Sequence, residues 1–119
     1  ACRGEQGEQF PWGPVFKSSL CHSNQDEQEG SREVQTFSSS RFGLFEMLGN
    51  VWEWTESRFR PHPFSEHLDP RYKRKFYIVK GGCWLTPSKE LRASLRSAFA
   101  VNERKGFLGF RCVLDPSFL

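Results

Sequence analysis

The sequence predicts a loop-rich domain in which a few short strands and broad aromatic side chains cover irregular backbone. Three observations lead there. Apolar residues make up only 37% of the chain while aromatics reach 15%, with twelve Phe and four Trp, against a usual apolar share of roughly 45 to 50%. The core is therefore built from few members, each large, and such plates suit irregular backbone because one ring buries about 150 to 250 Å² while giving up few rotamers. Gly, Pro and Ser break up residues 1–40, and three prolines interrupt residues 58–75, as surface loops require. Only two runs, 76–84 and 108–114, alternate clearly enough to be read as strands.

In chain order, residues 1–40 are polar, and from Ser23 to Ser40 only Val34 and Phe37 are large and apolar. That stretch reads as a long surface loop. Apolar residues then thicken from Phe42 to Trp54 around Gly49-Asn50, which predicts a short element, a tight turn and a short strand. Residues 58–75 leave the core again, and the basic run Arg71 to Lys75 is read as a solvated loop. Phe76 to Trp84 is a strand ending in the Gly81-Gly82 bend. Leu91, Leu95, Ala98 and Phe99 have helical spacing, yet Arg92, Ser94 and Arg96 fit alternation equally well, so both readings stand. Leu108 to Leu114 closes the chain as a strand, stopped by Asp115-Pro116.

Bulk properties narrow the function. With 119 residues and 13.9 kDa the chain has room for one domain. A net charge of +3, from 17 basic and 14 acidic residues, is too slight for a nucleic-acid partner. No apolar stretch reaches the roughly 18 to 20 residues that span a bilayer, and no membrane partner or targeting signal is read from this chain. The four cysteines, Cys2, Cys21, Cys83 and Cys112, lie far apart with no CxxC, which excludes a zinc knuckle. His62 and His67 have no metal-ligand spacing and carry no expectation.

The runs Cys2-Arg3-Gly4, Pro11-Trp12-Gly13, GLFEMLGNVWEWT at 43–55, VKGGCW at 79–84 and LGFRCV at 108–113 occur in an order that carries a resemblance. Together they are similar to the C-terminal part of the formylglycine-generating-enzyme family, or sulfatase-modifying-factor domain, across residues 1–113. The resemblance implies an α+β, C-type-lectin-like fold with a small twisted antiparallel sheet. It implies one domain over 1–119 whose N-terminal half is absent, to be supplied by the rest of a parent protein or by another chain.

The same resemblance sets the expectations for sites. The family's two catalytic cysteines, which hold copper between soft thiolates, align with Thr86 and Leu91. Neither residue supplies a thiolate, so no copper, no catalytic residue and no formylglycine generation are expected. Cys83 stands at a serine position of the motif, either near the family's cleft or as a small buried hydrophobe. Cys2 and Cys112 match a disulfide pair. A calcium segment of the family maps onto the carboxylates of Glu46 and Glu53 and the carbonyls of Gly49 and Val51, a hard oxygen set that suits the ion; a plain turn with solvated acids is the other reading.

Arg92, Arg96, Arg104 and Arg111 fall on segments that line or support the family's cleft, where a guanidinium can grip carboxylate or phosphate. Cys83, Trp84, Arg92 and Arg96 are the expected ligand contacts, while Trp52, Trp54 and Trp84 are also read as core plates. Two functions follow. The first is a non-catalytic module binding a small molecule or a protein. The second is the substrate-pocket part of an iron-dependent sulfoxide synthase of the ergothioneine or ovothiol type, to which WTESRFRPHPF, KGGCW, LRASLRSAF and LGFR are similar and whose iron sits on another domain.

Overall fold

In the computed structural model, which describes residues 2–115 and 117, four short strands organise the chain. They are β1 (Trp52–Arg58), β2 (Phe76–Lys80), β3 (Arg96–Ala100) and β4 (Leu108–Gly109), in the sheet order β3-β2-β1-β4. Two 3₁₀ turns, Ser18–Leu20 and Pro70–Lys73, complete the described regular structure. The loop-rich reading holds. β1, β2 and β3 form an antiparallel meander, but β4 runs parallel to β1. The expected antiparallel sheet is thus a mixed one. Residues 101–107 recross the sheet with Phe107 packed on Phe99 at 6.1 Å, and only Leu108 and Gly109 enter the ladder. The expected strand to Leu114 is not made: Phe110 and Val113 are 76% and 89% exposed. Of the two readings left open for residues 91–99, extended structure wins from Arg96 onward.

Two aromatic-rich clusters form the core. One gathers Phe10, Cys21, Leu48 and Leu91 with Trp12 and Phe16 at its margin, and the other gathers Trp52, Val79 and Cys83 with Trp54, Phe99, Phe107 and Leu108. Leu95 touches both. Phe10 stacks on Trp12 at 5.7 Å and meets Phe16 edge-on at 5.7 Å, so the polar first forty residues supply the aromatic half of a core. Burial at Cys21 is complete and raises its thiol pKa to about 11, which leaves it inert.

The turn at Gly49-Asn50 joins everything else. The Gly49 amide donates to the Gly81 carbonyl at 2.8 Å, the Asn50 amide to the His22 carbonyl at 2.9 Å, and the Trp84 amide to the Asn50 carbonyl at 2.8 Å. The Asn50 side chain accepts from the Arg32 amide at 2.8 Å and donates to the Arg32 carbonyl at 3.2 Å. Both turn residues have positive φ, 76° and 61°, conformations that Gly and Asn tolerate best. A Cβ on Gly49 would lie 2.1 Å from the His22 carbonyl oxygen. Gly49→Ala should therefore cost at least ~3 kcal/mol in urea unfolding, whereas Gly43→Ala, at positive φ but with open space around it, should cost about 1 kcal/mol. Equal losses would show that the His22 contact is not what fixes the turn.

Candidate functional site

Glu46, Gly49, Val51 and Glu53 line one cleft of about 310 Å³, together with Arg111 and Phe110. The two carboxylates have partners there. Glu46, itself at a φ of 44°, accepts from the amides of Gln35 at 3.0 Å and Phe37 at 3.2 Å. Glu53 receives Arg111 in a two-pronged pair at 2.6 and 2.5 Å, and the same guanidinium donates to the carbonyls of Phe45 and Glu46 at 3.0 and 3.2 Å. The bond to Glu53 raises the Arg111 pKa further. Carboxylate and carbonyl oxygens are the ligand types a hard cation takes, but each carboxylate is already engaged, Glu46 by two backbone amides and Glu53 by Arg111.

Thr86 and Leu91, the two positions expected to align with the family's cysteines, both approach the Gly81-Gly82 bend. A Cβ built on Gly82 would meet Leu91 Cδ2 at 2.5 Å and Thr86 Oγ1 at 3.3 Å, so both residues press on the Gly81-Gly82 bend. Leu91 is 1% exposed in the first core cluster. The Thr86 hydroxyl accepts from the Cys83 amide at 2.9 Å and lies 3.6 Å from Cys83 Sγ, within reach as a donor. Leu91 is thus part of the core and Thr86 a cap on the bend. Cys83 is 3% exposed, as expected for a small hydrophobe, yet it still borders an open cleft of about 430 Å³ with Thr86, Trp52, Arg96, Phe99 and Phe107. Trp84 and Arg92 do not line that cleft. Trp84 Nε1 is buried without a hydrogen-bond partner, and Arg92 is exposed, donating to the Glu90 carbonyl at 3.1 Å.

The strand register produces an unexpected charge pattern. Lys80 on β2 stands directly opposite Arg96 on β3 and Glu53 on β1. Both oxygens of Glu53 bond Arg111, and Lys80 takes part in none of the four ion pairs among the described residues. Burial lowers the Lys80 pKa; Cys2 opposes the shift, and Arg96, Arg3 and Arg92 add to it. Lys80 also borders a cleft of about 830 Å³ with Glu53, Trp54, Arg111, Val113 and Leu114. Arg104 is exposed. The disulfide expected between Cys2 and Cys112 is not made in this structure, where all four cysteines are free thiols. Cys2 is half-buried, and burial raises its pKa while Lys80 opposes the rise.

One buried polar group was not singled out from the sequence. His22 is 1% exposed; its Nε2 is 2.9 Å from the Gly30 carbonyl, so that nitrogen carries the hydrogen, and its Nδ1 faces Asp26 Oδ2 at 3.1 Å without the alignment of a hydrogen bond. Asp26 also accepts from the Ser23 amide at 2.8 Å and from Arg32 at 3.2 Å. Its partial burial favours the neutral acid, but the Ser23 amide, His22 and Arg32 outweigh that and hold its pKa below the ordinary carboxylate value. The spacing of His22, Asp26, Gly30 and Arg32 matches no motif, and the four converge only because the loop turns back on itself.

The loop-rich mixed sheet and the sequence both have counterparts among known proteins. The model of the sulfatase-modifying factor enzyme 1-like domain matches residues 1–116, and the chain belongs to that family. Formylglycine-generating enzyme of Mus musculus is 28% identical over 135 residues, covering 97% of this chain and 36% of that protein. Hercynine oxygenase of Mycolicibacterium smegmatis is 30% identical over 118 residues, covering 89% of this chain and 28% of that protein. The chain thus spans about a third of the length of these relatives. Among solved structures, Treponema denticola variable protein 1 superposes with a TM-score of 0.75 at 16% identity over 92% of this chain and 41% of that one, a likeness of fold.

The Asp26 network has a signed pH dependence. A carboxyl whose folded pKa is depressed contributes stability above its unfolded value, about 3.9, and loses it as pH falls through the folded value. Asp26→Asn should cost about 1 to 2 kcal/mol at pH 7, and the gap from the wild type should close as urea unfolding is repeated toward pH 2. A gap that persists at that pH would show that the ionised carboxylate is not the source.

Proposed function

We propose that this chain is the C-terminal part of a formylglycine-generating-enzyme-like domain that binds an anionic ligand and carries no catalytic group of its own. The observation that supports the ligand's charge is the Lys80–Arg96 pair. Like charges directly opposite each other in a sheet are destabilising, by a magnitude of roughly 0.2 to 1 kcal/mol, and the acid on the other side of Lys80, Glu53, gives both oxygens to Arg111. A carboxylate or phosphate lying over the two strands would turn this repulsion into two charge-assisted bonds, with Arg92 and Arg3 adding to the field. Thr86 and Leu91 support the absence of the family's oxidation, since a hydroxyl engaged with Cys83 and an isobutyl group cannot hold copper(I).

The partner that completes the domain is the remaining part of the parent protein. Val113 and Leu114 are 89% and 62% exposed beside the cleft that Lys80 borders, and an apolar rim of this kind is what an adjoining half would cover. A second reading, in which the parent is an iron-dependent sulfoxide synthase and this chain supplies substrate contacts, is favoured by the likeness to hercynine oxygenase. The two readings share the anion site and differ in whether the parent turns the ligand over.

Calcium at Glu46, Glu53 and the carbonyls of Gly49 and Val51 is also proposed, on terms set by Arg111. The ion and the guanidinium compete for Glu53, so binding requires Arg111 to release it.

Lys80→Gln separates ligand binding from folding. It should leave stability unchanged or raise it by up to ~0.5 kcal/mol, while weakening binding of succinate or inorganic phosphate about fivefold by calorimetry. A variant that is less stable and binds equally well would sink the anion site. Full-length parent protein given iron(II), oxygen, a thiol and hercynine decides between the readings: a sulfoxide product establishes the synthase, and none establishes the binding module. For calcium, an excess of about 100 times the dissociation constant should stabilise the protein by ~2.7 kcal/mol, and an unfolding midpoint unmoved by millimolar calcium would remove that assignment.

A further inference from the structure

The segment from Arg58 to Lys75, outside the clefts described above, carries the charge asymmetry of the molecule. Six Lys and Arg stand there against two acids, a net of +4 where the whole chain carries +3. One of the acids is committed locally. Asp69 binds Arg71 through both oxygens, at 3.0, 3.0 and 2.6 Å, and accepts from the Arg71 amide at 2.9 Å. The bond to Arg71 brings the Asp69 pKa down to about 2, so it stays ionised. Arg71 in turn lies 4.8 Å over the ring of buried Phe59, which also meets Tyr72 at 4.9 Å and Arg96 at 5.3 Å. These contacts brace the segment against the sheet.

What the bracing leaves free is a cationic rim around an apolar depression. Arg58, Arg60, Lys73, Arg74 and Lys75 are exposed and enter none of the ion pairs among the described residues. Beside them, a groove of about 620 Å³ is lined by Pro61, Leu68, Pro70 and Tyr72, with Lys73 and Arg74 at its edge. Leu68 is 89% exposed, and Phe64 is fully exposed at a φ of 63°, a conformation uncommon for a bulky side chain. Two prolines in the wall and a tethered Tyr72 limit the ordering that a bound segment would have to impose.

We infer that this segment is a docking surface for an acidic peptide bearing apolar side chains, whose carboxylates meet Lys73 and Arg74 while an apolar side chain fills the groove against Pro61, Leu68 and Tyr72. The occupant's charge follows from the unpaired cations. Its apolar component follows from the groove, which a purely polar polyanion would leave empty. The inference is independent of the Lys80 site, because the two share no cation.

A fluorescent peptide of alternating Glu and Leu tests it on the full chain by anisotropy, beside Lys/Leu and Glu/Ser peptides and vesicles of phosphatidylserine with phosphatidylcholine. The Glu/Leu peptide should bind at least about tenfold more tightly than either control and weaken as salt is raised. The double variant Lys73→Glu, Arg74→Glu should lose at least about tenfold, and Leu68→Ser a similar factor, with unfolding midpoints unmoved because these side chains are exposed. Lys80→Gln should leave this binding intact. Equal binding by wild type and the double variant, Glu/Ser binding as tightly as Glu/Leu, or sedimentation with vesicles without peptide binding would each overturn the proposal, the last in favour of a membrane surface.

Discussion

The approach of Gly49 to the backbone of His22 is the constraint on which the rest of the molecule depends. No side chain fits between Gly49 and the His22 carbonyl, so the turn and the first loop are locked at van der Waals contact. Asn50 then ties three segments that are remote in sequence: the loop at Arg32, the chain at His22 and the bend at Trp84. The six short elements among the described residues give little ladder to hold the fold, and these turn contacts supply the long-range cohesion that regular hydrogen bonding supplies elsewhere. The two aromatic clusters lie on the segments that this turn gathers, and Leu95 connects them.

That frame also sets the surroundings of the Gly81-Gly82 bend. Thr86 and Leu91 converge on Gly82. Both side chains serve the fold there: the hydroxyl caps the Cys83 amide and the isobutyl group fills the core. The surface next to them carries Lys80, which enters none of the ion pairs among the described residues. Lys80 facing Arg96 is a local conflict in an otherwise self-consistent sheet, and such conflicts concentrate where a protein holds something other than itself.

Much of the architecture was legible from residue pattern. The strand from Phe76, the Gly81-Gly82 bend, the Gly49-Asn50 turn and the excursion over residues 58–75 each rest on local chemistry, namely alternation, positive φ and proline. What escaped was non-local. Phe10, Trp12 and Phe16 lie in a polar stretch with no periodicity, so nothing in the sequence marks them as half of a core. Leu108 to Leu114 alternates like a strand, yet pairing needs a neighbour in register, and β1 offers one to Leu108 and Gly109 alone. For the same reason the orientation of β4 could not be read from its residues.

The sequence by itself determined the family and the loop-rich character, because ordered short motifs and composition are properties of the chain alone. Only the tertiary structure decided which charges meet. Glu53 and Arg111, 58 positions apart, are joined by the parallel pairing of β4. Lys80 and Arg96 are set against each other by a register that backbone hydrogen bonds fix whatever the side chains prefer. Asp26 reaches His22 because a loop without periodicity closes on itself. Electrostatic partners are chosen by distance in space, and in a chain with so little regular structure that distance is set by a handful of turns.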